Sequence, residues 1–421
     1  MRMNFAGMIM MLVVLIGLAG CSEKSSKLVN PKPIKIVTVG SKIDGFGHNF
    51  QFFVRGTDIY YAYLDFIENK LIEGELSSDW TPVITREVSF EIEEPSIFSF
   101  LIYERRNEYN DILFSIEEST RFWSHREHRW KELQALTGED DSRWFARPVR
   151  SQLPWEGKAF IRFGRRFNPP SYFKMDFLEG DLSLIAADSD EIWVVIGKWN
   201  QQDVLAKRKN YRRRLESSSV SSKWSITEFD VEHGRVGERI LPPIRSRFST
   251  RDARLVSEAV PNTVLIEAIT GAWVYRLVND RWEGRTIENV QLINMLRDET
   301  SSFNTHGGID FVEEYGRIFV VYNSEIGSFL QIWDDQMTEF VEYWMGDFAL
   351  GSKYGTKFAL LAIDRMITFS KENYVYDEMI GHGIVDLVFR EWSLDDFEEV
   401  RRGRFEDLEL VEVTDLEKMG P

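Results

Sequence analysis

The sequence predicts an all-β fold, most simply a seven-bladed β-propeller, and three observations predict it. A hairpin-like pattern recurs along the chain, in which an alternating aromatic or aliphatic strand meets a polar turn and then a second strand. Its turns fall near Asn69, Arg126, Gly180, His233, Asp280, Asp334 and Asp395, at spacings of 47 to 61 residues. Steps of that size mark repeat architectures, whose units bury their apolar faces only by packing on their neighbours. Most units also carry an apolar run ahead of the hairpin: IFSFLIY from Ile97, IWVVIGKW from Ile192, TVLIEAI from Thr263 and RIFVVY from Arg317. Runs that are apolar on both faces suit strands buried between packed sheets. No long helical periodicity separates the copies, as a ring of small sheets requires.

In chain order, YYAYLDFIENKLIEGEL forms the first hairpin. RFWSHREHRWKEL forms the second, although Ser119 or Thr120 could instead cap a helix there. YFKMDFLEGDLSLI, KWSITEFDVEHGRVGERI, AWVYRLVNDRWEGRTI and FLQIWDDQMTEF follow, and VFREWSLDDFEEV is the seventh. An extra hairpin, MITFSKENYVYDEMI, leaves six or eight blades as alternatives, with tandem β-sandwich domains another. IKIVTV, from Ile34, reads as a strand ahead of the first unit that can pair into the last blade, close the ring and protect its edges.

The amino terminus has its own pattern. Arg2 precedes an uncharged apolar run from Phe5 to Gly20, shorter than the roughly 20 residues a helix needs to cross a bilayer. It ends in Leu18-Ala19-Gly20-Cys21, which resembles the lipobox of bacterial lipoproteins. The resemblance covers residues 1–21. It implies a signal peptide over residues 1–20, a diacylglycerol on Cys21, and a protein exported to the cell envelope and held on a membrane. Cys21 is the only cysteine, and an unpaired thiol in an oxidising compartment fits a lipid acceptor. Resemblance to Gram-negative lipoproteins implies the outer membrane, because Ser22 rather than aspartate follows the cysteine. Residues 21–33 read as a polar tether spanning roughly 20 Å, which leaves 34–421 as the folded body.

The chain carries 51 basic and 68 acidic residues, for a net charge of −17. Such a surface repels phosphate backbones, so nucleic acid is excluded as a partner.

His48, His306 and His382 each sit beside a glycine ahead of an apolar strand. If they are equivalent positions in the first, sixth and seventh units, ring closure brings three imidazoles to one channel mouth. Asp44 or Asp310 would then add a carboxylate to a metal site. The plainer reading is that each histidine hydrogen-bonds loop backbone. One unit resembles a WD repeat through His306-Gly307, RIFVVY and Trp333-Asp334, but the other copies lack the Trp-Asp pair.

Lys207, Arg208, Lys209, Arg212, Arg213 and Arg214 place six cations within eight residues, just ahead of a serine run from Ser217. They read as an exposed insertion loop, suited to an anionic lipid or glycan. Trp80, Trp144 and Trp155 lie in loop-like contexts and suit stacking on sugars or on a partner's side chains. No nucleophile and base constellation stands out. The expected function is therefore a non-catalytic binding or scaffolding lipoprotein with an envelope protein or glycan partner. An envelope enzyme acting on glycan or peptide, and a metal or small-ligand carrier, are the alternatives. No cofactor is expected beyond the covalent lipid at Cys21.

Overall fold

The computed structural model describes residues 28–44, 49–89, 100–106, 109–116, 119–124, 129–132, 144–148, 158–165, 171–176, 182–186, 191–199, 202–209, 222–230, 235–246, 250–255, 260, 263–268, 271–279, 281–296, 309–324, 326–346, 357–378 and 382–411. Side chains are described chiefly within 28–89, 260–296 and 309–411.

Seven antiparallel sheets follow one another along the chain. The first blade is Phe50–Arg55, Asp58–Asp65, Lys70–Leu76 and Pro82–Ser89, hydrogen-bonded in that order. Phe100–Arg106, Tyr109–Ile116, Ser119–Ser124 and Arg129–Glu132 form the second, so the segment that also fitted a helix is a strand pair. The third is Trp144–Pro148, Lys158–Arg165, Ser171–Asp176 and Leu182–Ala186; the fourth is Glu191–Trp199, Gln202–Lys209, Ser222–Asp230 and Arg235–Ser246. Thr250–Leu255, Thr263–Ala268, Gly271–Val278 and Arg281–Thr286 make the fifth blade. A short helix, Val290–Leu296, leads to the sixth: Ile309–Glu314, Arg317–Ser324, Gly327–Asp334 and Glu339–Gly346. Turn chemistry supports these hairpins. Asn69 and Asn279 take positive φ at two of the expected turns, and Tyr315-Gly316 form a two-residue turn with both φ values positive.

The seventh blade joins an early strand of the chain to three late ones. Lys357–Ala362, Arg365–Asp377 and His382–Ser393 supply three strands, and Lys35–Asp44 pairs with His382–Ser393 as the outermost fourth. The closing strand expected at Ile34 is therefore present. Phe50–Arg55 also lies against both Lys357–Ala362 and Phe100–Arg106, so innermost strands neighbour one another across the closure. Seven consecutive sheets closed in this way make the molecule a seven-bladed β-propeller.

Packing explains why the blades cohere. Between the seventh and first blades, Phe369 stacks on Phe389 with ring centroids 4.0 Å apart, and Phe50 meets Phe369 edge-on at 4.7 Å. Tyr61, Leu387 and Ile367 complete that fully buried layer. Aromatic pairs of this kind contribute about 0.5–1.5 kcal/mol beyond the area they bury.

Two features depart from the expected units. Residues around Asp395 form a 3₁₀ turn, Leu394–Asp396, rather than a hairpin. The chain then crosses to the sixth blade, where Glu398–Arg404 adds a fifth strand beside Glu339–Gly346. It continues to the fifth blade, where Leu410–Val411 pairs with Arg281–Thr286. MITFSKENYVYDEMI, expected as an extra hairpin, is not one: Arg365–Asp377 is a single strand of the seventh blade, bulged between Glu372 and Val375. At the other end, Leu28 packs on the core between the fifth and sixth blades, and the Val29 amide donates to Glu398 Oε2 at 3.3 Å. Leu28 to Pro33, which composition marked as tether, thus run along the body.

Candidate functional site

The seventh blade carries an overhang. Its first strand begins at Lys357, opposite Phe369, and its outermost strand ends at Asp44, opposite Ile384. Beyond those points Arg365–Asp377 and His382–Ser393 continue as a pair, with Tyr376 opposite Gly383 and Asp377 opposite His382. Among the described residues the first strand stops short of 370–377 on the inner side, while the closing strand still reaches Ile384, the residue opposite Val375. Tyr374, Val375 and Tyr376 are 57%, 57% and 58% exposed. Three successive exposed apolar side chains on a soluble surface mark an interaction site.

A carboxylate holds this overhang in place. Asp386 lies on the central strand between two bulges, one at Lys42 (φ +57°) on the closing strand and one at Asn373 (φ +52°) on the hairpin. Its Oδ1 accepts from Ser41 Oγ at 2.7 Å and from the Lys42 amide at 3.1 Å. Its Oδ2 accepts from Asn373 Nδ2 at 2.8 Å. Desolvation opposes ionisation and is the largest single influence on Asp386. The hydrogen bonds from Asn373, Ser41 and Lys42, aided by the Lys42 charge, outweigh it and hold the carboxyl below its ordinary range.

Further down, Arg390 pairs with Glu372, and Ser370 Oγ donates to the same carboxylate at 2.6 Å. Gly383 seats the Tyr374 ring, which occupies the space a Cβ would need. The tyrosine is exposed, yet its base is set by the backbone opposite.

The residues singled out from the sequence are placed as follows. His382 begins the third strand of the seventh blade, in register with Asp377. His48 and His306 lie outside the described residues, ahead of first strands beginning at Phe50 and Ile309. Of the three, only the backbone of His382 is placed, at the start of a strand two places out from the first strand of its blade. Among the described residues no three His, Cys, Asp or Glu side chains are grouped to hold a metal. Lys207, Arg208 and Lys209 lie within the strand Gln202–Lys209 rather than in a loop, and Arg212, Arg213 and Arg214 are outside the described residues, as is Cys21. Trp80 packs against the core between the first and seventh blades with Lys35 Nζ 5.3 Å from its ring centre. It serves as a wedge rather than a free stacking platform.

The sixth blade contains a network that sequence reasoning missed. Glu342 is fully buried and in cross-strand register with Gln331 and Arg401. Its Oε2 accepts from Gln331 (2.5 Å), Arg401 (2.8 Å) and Tyr322 (3.1 Å), and its Oε1 from Asn289 (3.1 Å). Gln331 and Arg401 also donate to the Ile287 carbonyl at 2.8 and 3.1 Å, which links the fifth blade to the sixth. Burial, reinforced by the Glu342 charge, pushes the Tyr322 phenol well above its ordinary pKa. Glu342 accepts from four donors on three strands and a helix start, so this cluster has a structural role, although the Arg401 Nε is buried without a hydrogen-bond partner.

An open groove of about 530 Å³ lies on the same blade, lined by Arg317, Arg402 and Arg404 among others. Arg402 is bidentate to Glu399 at 2.5 and 2.6 Å, and Asp334 and Glu339 line the groove as well. Matched charges leave little attraction for an anion. The overhanging hairpin is therefore the candidate site.

No known family matches the chain, and no curated protein matches it in sequence. Among solved structures, it is similar to a Mycobacterium tuberculosis puromycin-hydrolyzing peptidase, with a TM-score of 0.50, 10% identity, and coverage of 92% of this chain and 57% of that one. A puromycin hydrolase structure (TM-score 0.46, 12% identity, 84% and 56% coverage) and the Dos1 propeller (0.43, 9%, 80% and 75%) are also similar. The chain thus spans under three-fifths of the length of either puromycin-hydrolysing protein. At such identities the likeness concerns the fold, which is a β-propeller.

Proposed function

We propose that this chain is a lipid-anchored, extracytoplasmic propeller that binds a protein partner through the overhanging hairpin of its seventh blade, without chemistry of its own. The observation that carries this reading is the exposure of Tyr374, Val375 and Tyr376 on the inner-side extension of the blade, a strand fixed at its base by Asp386. Aromatic side chains held in place before binding contribute contact area at low entropic cost, which is how interface anchors work. The lipobox supplies the address. A diacylglycerol on Cys21 would hold the body at a membrane, the outer membrane in a Gram-negative envelope.

The test is cross-linking of the full lipidated chain in its own envelope, comparing wild type with Tyr374→Ser/Tyr376→Ser, Asp386→Ala and, as a remote control, Tyr315→Ser. A discrete cross-linked protein should appear with wild type and the control and disappear with the other two. A partner retained by all four variants would eliminate the hairpin as the site. Membrane retention of a Cys21→Ala chain would eliminate the anchor.

A second reading, action on peptides, is favoured by the likeness to the puromycin-hydrolyzing peptidase, and it rests on the fold alone. Release of the amino acid from puromycin by the purified chain would establish it in place of the binding role.

A further inference from the structure

The closing strand of the propeller is also where the chain arrives from Cys21. Ile34 N donates to the Glu391 carbonyl at 2.7 Å, Val29 is bonded to Glu398, and Leu28 rests on the core between the fifth and sixth blades. Residues 22–27 alone separate Leu28 from Cys21. Fully extended, six residues reach about 20 Å. A folded body of this length has a radius of gyration of about 21 Å, so the part of it around Leu28 and Lys35 is confined near any surface that holds Cys21.

That part of the molecule has an unusual surface. Val29, Ile34 and Ile36 are 73%, 46% and 58% exposed beside and on the outer edge of the seventh blade. On the outermost strand of the first blade, Val83 and Ile84 are 43% and 51% exposed. Outer edge strands are ordinarily protected by charged side chains, and aliphatic ones there invite a covering surface. The local charge differs from the rest of the chain as well. Between Ser22 and Lys42 the sequence carries five lysines and one acid, Glu23, against a net charge of −17 for the whole chain. Lys35 is paired with Glu391 at 3.5 Å and Lys42 lies beside Asp386, which leaves Lys24, Lys27 and Lys32 as the cations for a headgroup. Aliphatic side chains for the acyl boundary and lysines for anionic headgroups are what an interfacial membrane contact uses, each lysine contributing about 1 kcal/mol near such a surface.

We propose that, once Cys21 is acylated, this edge of the propeller lies on the bilayer, with Val29, Ile34, Ile36 and Ile84 at headgroup level. The inference rests on the lipidation reading above. It makes the propeller stand on its rim. The overhanging hairpin departs from the Asp44 end of the closing strand, about 30 Å along it from the Lys35 end where the tether enters, so it remains free for a partner.

The test uses full lipidated chain inserted from outside into preformed vesicles of phosphatidylethanolamine and phosphatidylglycerol. Acylation occupies the Cys21 sulfur, so Ile36→Cys, Ile84→Cys and the remote Tyr315→Cys each supply a single thiol. On vesicles, a membrane-impermeant maleimide should modify the first two at least tenfold more slowly than in an unanchored Cys21→Ser background. Tyr315→Cys should change less than twofold. Equal rates at all three positions, with an acylated amino-terminal peptide found by mass spectrometry, overturn the edge-on orientation and leave the anchor standing. An unmodified Cys21 overturns both. Protection of Ile36→Cys in the unanchored chain without vesicles also overturns the proposal, because a second copy would then be covering the edge.

Discussion

Asn373 donates to Asp386 at 2.8 Å, tying a left-handed bulge residue of the exposed hairpin to the strand that receives the amino-terminal end of the chain. The other oxygen of the same carboxylate accepts from Ser41 and Lys42 on the closing strand. One side chain therefore secures both ring closure and the candidate binding surface.

Asp386→Ala should loosen the hairpin before it loosens the ring. Three donors lose their acceptor, at about 0.5–1.5 kcal/mol per bond, and other backbone pairs of the blade remain. Amide hydrogen exchange over Asn373–Asp377 should quicken at least tenfold. Unchanged exchange there would refute the fastening role.

The pH dependence follows from the sign of the shift. Because the Asp386 carboxyl titrates below its ordinary value, its contribution is complete above the unfolded pKa of about 4 and is lost as pH falls through the lower folded value. Hairpin protection factors should stay level from neutral pH down to about 5 and drop only below about 4. A decline centred near pH 6 would point to another group.

Gly383→Ala tests the seat of Tyr374. A Cβ there occupies the ring's position, so the tyrosine must swing away. Partner capture should weaken markedly with little change in melting temperature. A variant that binds as well as wild type would show that the ring's placement does not matter.

Glu342→Ala should be among the most destabilising single changes in the sixth blade. Removing the acceptor leaves the Tyr322 hydroxyl and the Asn289 amide without their acceptor and the Arg401 guanidinium without its counter-charge, while Gln331 and Arg401 keep only the Ile287 carbonyl, a loss of about 3–5 kcal/mol. Urea unfolding measures it, and a loss below 1 kcal/mol would contradict the network's role.

Phe405→Ala probes the carboxy-terminal lacing. Phe405 is buried under Arg276, whose guanidinium carbon lies 4.1 Å from the ring centre, and such a truncation costs about 3–5 kcal/mol. Limited proteolysis should release the segment after Ser393 earlier than in wild type.

Most of the blades were legible because their signals are local. Alternation in FLQIWDD and MTEF, with a polar turn between them, sets a hairpin within about a dozen residues, and Asn69 and Asn279 punctuate others with the left-handed conformation those turns require. VFREWSLDDFEEV misled for the same reason. It has the alternation of a hairpin, but nothing in it reveals that Glu398 finds a better partner in Trp344 of the neighbouring blade than in its own. Arg401 was invisible as a member of the Glu342 cluster, since 59 residues separate them and neither is unusual in so charged a chain.

Residue pattern alone was enough for the repeat, the all-β class and the closing strand at Ile34, because pleat and turn energies act between near neighbours in the chain. Which edge each terminal segment covers, where the hairpin outruns its sheet, and which carboxylate becomes buried were settled by ring assembly. An edge strand pairs with whatever unsatisfied backbone lies beside it, and that neighbour exists only after the seven sheets have come together.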